Sequence, residues 1–127
     1  MSTVSSGQTQ YVSSGQIVSG TDVLHGGTEY VSAGGTAIAT DLNGVLDDYG
    51  TVSGATIAGG GVEYIYGGGV DSGSTISGGG AEYVLSGGRT VSTTLDYGVA
   101  QYVSSGGSTT GTDVIGSYAY QVVSSGG

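Results

Sequence analysis

The chain is predicted to be all-β, a parallel β-solenoid. Three observations carry this: a nineteen-residue repeat, apolar anchors at strand-like spacing, and glycine pairs at fixed places. Tyr11-Val12-Ser13-Ser14-Gly15 returns as Tyr30-Val31-Ser32-Ala33-Gly34, and Tyr64-Ile65, Tyr83-Val84 and Tyr102-Val103 keep the same step. Self-similarity at a fixed period of this length is the signature of a solenoid. The anchors alternate at eleven residues (Val12 to Val23) and eight (Val23 to Val31). Neither spacing builds a helix face. β-branched anchors bounded by Gly-Gly breaks read as short strands.

Taken in chain order, each unit of about nineteen residues reads as two short strands and two glycine turns, giving six to seven coils in a single domain over residues 1–127. One inner ladder is expected from Val12, Val31, Leu46, Ile65, Val84, Val103 and Val122. A second, facing it, comes from Val4, Val23, Leu42, Ile57, Ile76, Leu95 and Val114. Two positions before the second ladder, Thr21, Thr40, Ala55, Ser74, Thr93 and Thr112 also point inward by period-two alternation, and all are small. At ~4.8 Å per coil the stack is roughly 30 Å long. With about two large apolar side chains per coil, the backbone ladder between coils must carry much of the cohesion.

Two units are irregular. Tyr30 to Tyr64 is 34 residues rather than twice nineteen, so the unit Val45-Leu46-Asp47-Asp48-Tyr49-Gly50, directly after Asn43-Gly44, has lost four residues of turn. The last unit gains one: Gly106 to Gly126 is twenty.

Composition narrows the function. Of 127 residues, ten are acidic and one, Arg89, is basic, for a formal net charge of -9. Nucleic-acid phosphates and anionic membrane surfaces both call for Lys and Arg, and no apolar run approaches a transmembrane length. Met1-Ser2-Thr3-Val4 has neither the basic start nor the apolar core of a signal peptide. Cysteine is absent, which leaves the redox compartment unreadable.

Gly27-Thr28-Glu29-Tyr30-Val31-Ser32-Ala33-Gly34-Gly35-Thr36-Ala37 and Ala100-Gln101-Tyr102-Val103-Ser104-Ser105-Gly106-Gly107-Ser108 resemble the AIDA-type repeat of self-associating autotransporter adhesins and related bacterial surface proteins. The resemblance spans nearly the whole chain. It implies an extracellular β-helical passenger on a bacterial surface that adheres or aggregates cells through lateral contacts. It also implies O-linked heptose in some relatives, for which Ser13, Ser32 and Ser104 are suited.

Chemistry-bearing residues are few. Asp47-Asp48 is the one adjacent acidic pair; it reads as a tight turn, with a polysaccharide-acting enzyme as a third-ranked alternative. Gly67-Gly68-Gly69-Val70-Asp71 approaches a calcium-binding nonapeptide but lacks its fourth-position glycine. His25 stands alone in a turn. No catalytic, cofactor or metal site is expected.

The tyrosines Tyr11, Tyr30, Tyr64, Tyr83 and Tyr102 precede inward aliphatics and should form an outward stripe, either as surface ladder contacts or as a strip for a partner coil or a glycan. Gln10, Glu29, Glu63, Glu82 and Gln101 are expected to run beside it, with mild repulsion in screened water. Neither end shows a cap, a form shared by a fragment of a longer array and by a subunit stacking end to end through Val4, Val12, Val114 and Val122. The leading expectation is thus a non-enzymatic surface solenoid whose partner is itself. The alternative is a glycan-binding module, with calcium held by an acidic turn.

Overall fold

The computed structural model describes residues 2–127. It is a parallel β-solenoid without helix, built from three sheets rather than two. The first sheet takes two residues from each coil, from Thr3–Val4 to Asp113–Val114. The second takes four, from Thr9–Val12 to Tyr120–Val123. The third takes three, from Ile17–Ser19 to Ser108–Thr110. Sheets one and two have seven strands and sheet three has six, every pair parallel and in register.

Stacking is carried by backbone bonds between successive coils. Leu24 N–H donates to the Val4 carbonyl and Ser32 N–H to that of Val12, each at 2.9 Å. A side chain in one coil therefore lies over its own equivalent in the next. The expected second ladder forms as read: Val4, Val23, Leu42, Ile57, Ile76, Leu95 and Val114 are successive partners. All but Val114 are buried. Thr21, Thr40, Ala55, Ser74 and Thr93 are buried as expected, and Thr112 is half-buried.

The first ladder differs at two places. Asp48, not Leu46, sits between Val31 and Ile65, while Leu46 sits between Glu29 and Glu63. The missing four residues are the reason, because they are not lost from one turn. Leu42 to Asp48 is two shorter than Val23 to Val31, and Asp48 to Val52 is two shorter than Val31 to Ala37. Asn43-Gly44 and Tyr49-Gly50 are twin contracted turns, and a methyl group on either glycine would lie 2.4 Å from a backbone oxygen of the coil before it. At the far end Val123, not Val122, continues the ladder under Val103, and Val122 pairs with Tyr102. The added residue lies between Val114 and Tyr120, where Tyr118 has a positive φ of 62°.

Glycine is required at the turns for two separable reasons. Gly60 has φ +83° and open space around it, so the backbone alone demands glycine there. Gly61 has ordinary φ, but a methyl group there would stand 2.2 Å from the Leu42 carbonyl oxygen, inside the stacking contact itself. We expect Gly60→Ala to cost about 1–2 kcal/mol, the left-handed penalty. Gly61→Ala should cost at least about 3 kcal/mol, because two coils must part. Urea unfolding of the two variants checks this; equal losses would contradict it.

Candidate functional site: a tyrosine stripe over a buried acidic seam

Strand alternation in the second sheet divides each Gln/Glu-Tyr-aliphatic triplet between two faces. The tyrosines point outward, as expected, and Tyr11, Tyr30, Tyr64, Tyr83 and Tyr102 occupy one column. Asp47 takes the column's place between Tyr30 and Tyr64, which would break the stripe. Two tyrosines outside the expected set close the gap. Tyr30 meets Tyr49 with ring centroids 5.2 Å apart, Tyr49 stacks on Tyr66 at 4.3 Å and 1°, and Tyr66 returns to Tyr64 at 6.3 Å. The Tyr66 hydroxyl donates to Asp47 at 3.4 Å. Tyr64, Tyr83 and Tyr102 continue at 5.2 and 4.9 Å, with planes 17° and 15° apart, and Tyr120 closes the far end on Tyr102. Tyr11 begins the track at 5.7 Å from Tyr30. Eight tyrosines thus form one continuous aromatic track along the solenoid.

The Gln/Glu column does not lie beside this stripe. It lies beneath it, inside the coil. Glu29, Glu63, Glu82 and Gln101 are fully buried, as are Asp48 and Asp71. The same alternation that turns Val12 inward turns Gln10 inward two positions earlier. Five of the ten acidic residues are therefore interior: Glu29, Asp48, Glu63, Asp71 and Glu82.

They form a polar seam with the small column and the middle residues of the third sheet. Thr40 Oγ1 donates to Glu29 at 2.9 Å, Ser74 Oγ to Asp71 at 2.5 Å, and Gln101 Nε2 to Glu82 at 2.5 Å. Toward the C-terminal end the seam turns neutral: Thr90 bonds Thr109 at 2.8 Å, Thr109 meets Thr112 at 2.6 Å, and Gln121 donates to Gln101 at 2.6 Å. At its centre one carboxylate oxygen from each of Glu63, Asp71 and Glu82 lies within 4.8 Å of the others.

Burial sets the proton affinity of the seam. Loss of hydration raises Glu29, with the Thr40 and Thr21 hydroxyls pulling it back. It raises Glu63 and Glu82 well above the usual carboxylate range, helped by the Asp71 charge. Asp48 is pushed up to about 7, by burial first and by the Asp71 charge in addition, against the Gly50 N–H bond that favours its ionised form.

Asp47 and Asp48 are neither a turn nor a dyad. Both belong to the strand Val45–Asp48 and point to opposite faces, so no one substrate reaches both. His25 and Arg89 are exposed. Of the expected end contacts, Val4 and Val12 are buried under the second coil, whereas Val114 and Val122 are 48% and 43% exposed.

No family model matches the chain, and no curated protein sequence matches it. Among solved structures, the chain is similar to the TibC-catalysed, hyper-glycosylated fragment of TibA, an AIDA-type autotransporter adhesin. The TM-score is 0.93 with 37% identity over 98% of this chain. The chain spans 48% of that structure's length.

Asp48 allows a direct check of burial. The folded state holds its proton up to about pH 7, whereas the unfolded chain releases it near the ordinary value of 3.8. Its contribution to stability is therefore intact below the unfolded value. It declines as pH rises through this window, by roughly 1.4 kcal/mol per unit, and levels off above the folded value. In chelator-containing buffer, Asp48→Asn, which keeps an acceptor for Gly50, should flatten the fall in stability between pH 4.5 and 7 by about this slope. A wild-type-minus-variant difference that does not change with pH would contradict it.

The chain is thus a parallel β-solenoid similar in fold and in sequence to the TibA fragment.

Proposed function

We propose that this chain acts as a non-enzymatic solenoid on a bacterial surface, and that its partner is a second copy meeting it along the tyrosine stripe. The single observation that carries this reading is the orientation of the rings. Tyr49 and Tyr66, and Tyr64, Tyr83 and Tyr102, lie nearly parallel along the solenoid axis. Stacked in this way, the rings cover one another's faces and leave their edges to meet a partner. A sugar packs on an open aromatic face, so a stack of this kind favours edge and hydroxyl contacts with a similar stripe.

Charge supports the same reading. With five acids interior, the surface carries Asp22, Asp41, Asp47, Asp96 and Asp113 against Arg89, which is far less self-repulsion than the formal charge implies. Similarity to the TibA adhesin fragment agrees with a surface location.

End-to-end contact is a second mode of the same function. Val114 and Val123 lie on the open face of the last coil, 48% and 52% exposed; a further coil, of this chain or another, would cover them. A glycan-binding role keeps Tyr11, 66% exposed at the head of the stripe, as its best platform. The hyper-glycosylation of the TibA fragment carries over as a modification of exposed turn serines such as Ser13, Ser14 and Ser105, and not of the buried Ser74.

The test is sedimentation velocity across a concentration series for the wild type and for Tyr64→Ser/Tyr83→Ser/Tyr102→Ser. The wild type should self-associate, and the variant should weaken association roughly tenfold or more with an unchanged β spectrum. A wild type that stays monomeric throughout, or a variant that associates equally, would overturn the stripe. Glycan-array binding that depends on Tyr11 in a monomeric wild type would move the assignment to the second function.

A further inference from the structure

We propose that the interior of the solenoid at Glu63, Asp71 and Glu82 is a binding site for one oxygen-ligated divalent cation such as calcium. The site stands apart from the tyrosine stripe: Glu63 and Glu82 lie on the inner side of the tyrosine-bearing strands, and Asp71 lies in the third sheet.

Geometry brings the three carboxylates within reach of one ion. Oxygen atoms from the three carboxylates lie within 4.8 Å of one another. One cation with oxygen ligands at roughly 2.3–2.6 Å, the calcium range, can touch all three. The three residues are 0% exposed, and their carboxylates supply the oxygen-only donors that a hard cation such as calcium prefers.

Unpartnered atoms point to the same place. Glu63 Oε1 and Oε2, Asp71 Oδ2 and Glu82 Oε1 are buried with no hydrogen-bond partner. The oxygens that do have partners, Asp71 Oδ1 and Glu82 Oε2, are held from the side by Ser74 and Gln101. Such bonds orient a carboxylate toward a metal.

Protons alone do not resolve the cluster. One proton shared by Asp71 and Glu82 would pair those two residues, yet it would leave both oxygens of Glu63 without a partner. The protein offers no side-chain cation of its own there, since Arg89 is the only Lys or Arg and, like the single histidine His25, is exposed. Unpaired buried carboxylates are costly, and a divalent ion offsets two charges at once. Other coils show the neutral version of the same positions. Gln101 replaces Glu63 and Glu82 in its column, and Thr90 and Thr109 replace Asp71. The acids are thus concentrated in two adjacent coils, directly after the contracted one.

The neutral coils also supply a variant expected to fold: Glu63→Gln/Asp71→Thr. The experiment refolds the wild type and this variant from urea in millimolar calcium or in EGTA, then measures bound metal by mass spectrometry and the thermal midpoint. The wild type refolded in calcium should carry one calcium per chain after desalting and melt roughly 5 °C or more above the EGTA sample. The variant should carry none and melt alike in both. If the variant fails to refold, the wild-type comparison alone decides. A wild type without stoichiometric metal and with equal midpoints would overturn the site and leave the three acids neutralised by protons.

Discussion

In-register backbone pairing between coils is the constraint on which everything else in this molecule depends. Strand N–H and carbonyl groups of one coil pair with those of the coils before and after it, so each residue type is stacked on itself or on its replacement. Columns of like residues gain from this when they are aliphatic, as Ile57, Ile76 and Leu95 are, or aromatic, as Tyr64, Tyr83 and Tyr102 are. Acids are the exception, because stacked carboxylates repel. The Gln/Glu column accordingly places Leu46 between Glu29 and Glu63, and ends the acidic run at Glu82 with the amide of Gln101, which donates to it. Glu63 above Glu82 is the one adjacent pair left, and it is where the unpartnered oxygens collect.

The same pairing explains how the solenoid tolerates a contracted coil. Losing two residues at each of two turns keeps the strand Val45–Asp48 in step with its neighbours, whereas losing four at one turn would displace it along the sheet. The cost is paid inside and outside the coil. Asp48 enters an aliphatic ladder, and Asp47 enters the tyrosine column. Tyr49 and Tyr66 then detour round Asp47, so the aromatic track survives a defect in the repeat that made it.

Much of this was legible from the repeat. Its period implies the solenoid, and the anchors from Val4 to Val114, the small column from Thr21 and the outward tyrosines all follow from period-two alternation. Three things were not legible. The third strand has Val18, Ala37, Val52, Asp71, Thr90 and Thr109 at its inward position, a column too mixed in polarity to announce a core. The burial of Glu29, Glu63 and Glu82 contradicts the ordinary preference of carboxylates for water, although the alternation that buries Val31 applies equally to Glu29. Hydrophobicity aligned Leu46 with Val31, but hydrogen-bond register aligns Asp48 there, and register is invisible when residues are missing from two turns at once.

The central claim is that the strands of the second sheet send tyrosines out from one face and acids in from the other. Carbodiimide labelling of the folded chain, read residue by residue by mass spectrometry, tests it most directly. Asp22, Asp41, Asp96 and Asp113 should label promptly, while Glu29, Asp48, Glu63, Asp71 and Glu82 stay unmodified until urea unfolds the chain. Labelling of Glu63 and Glu82 in the folded state at the rate of Asp96 would contradict the account.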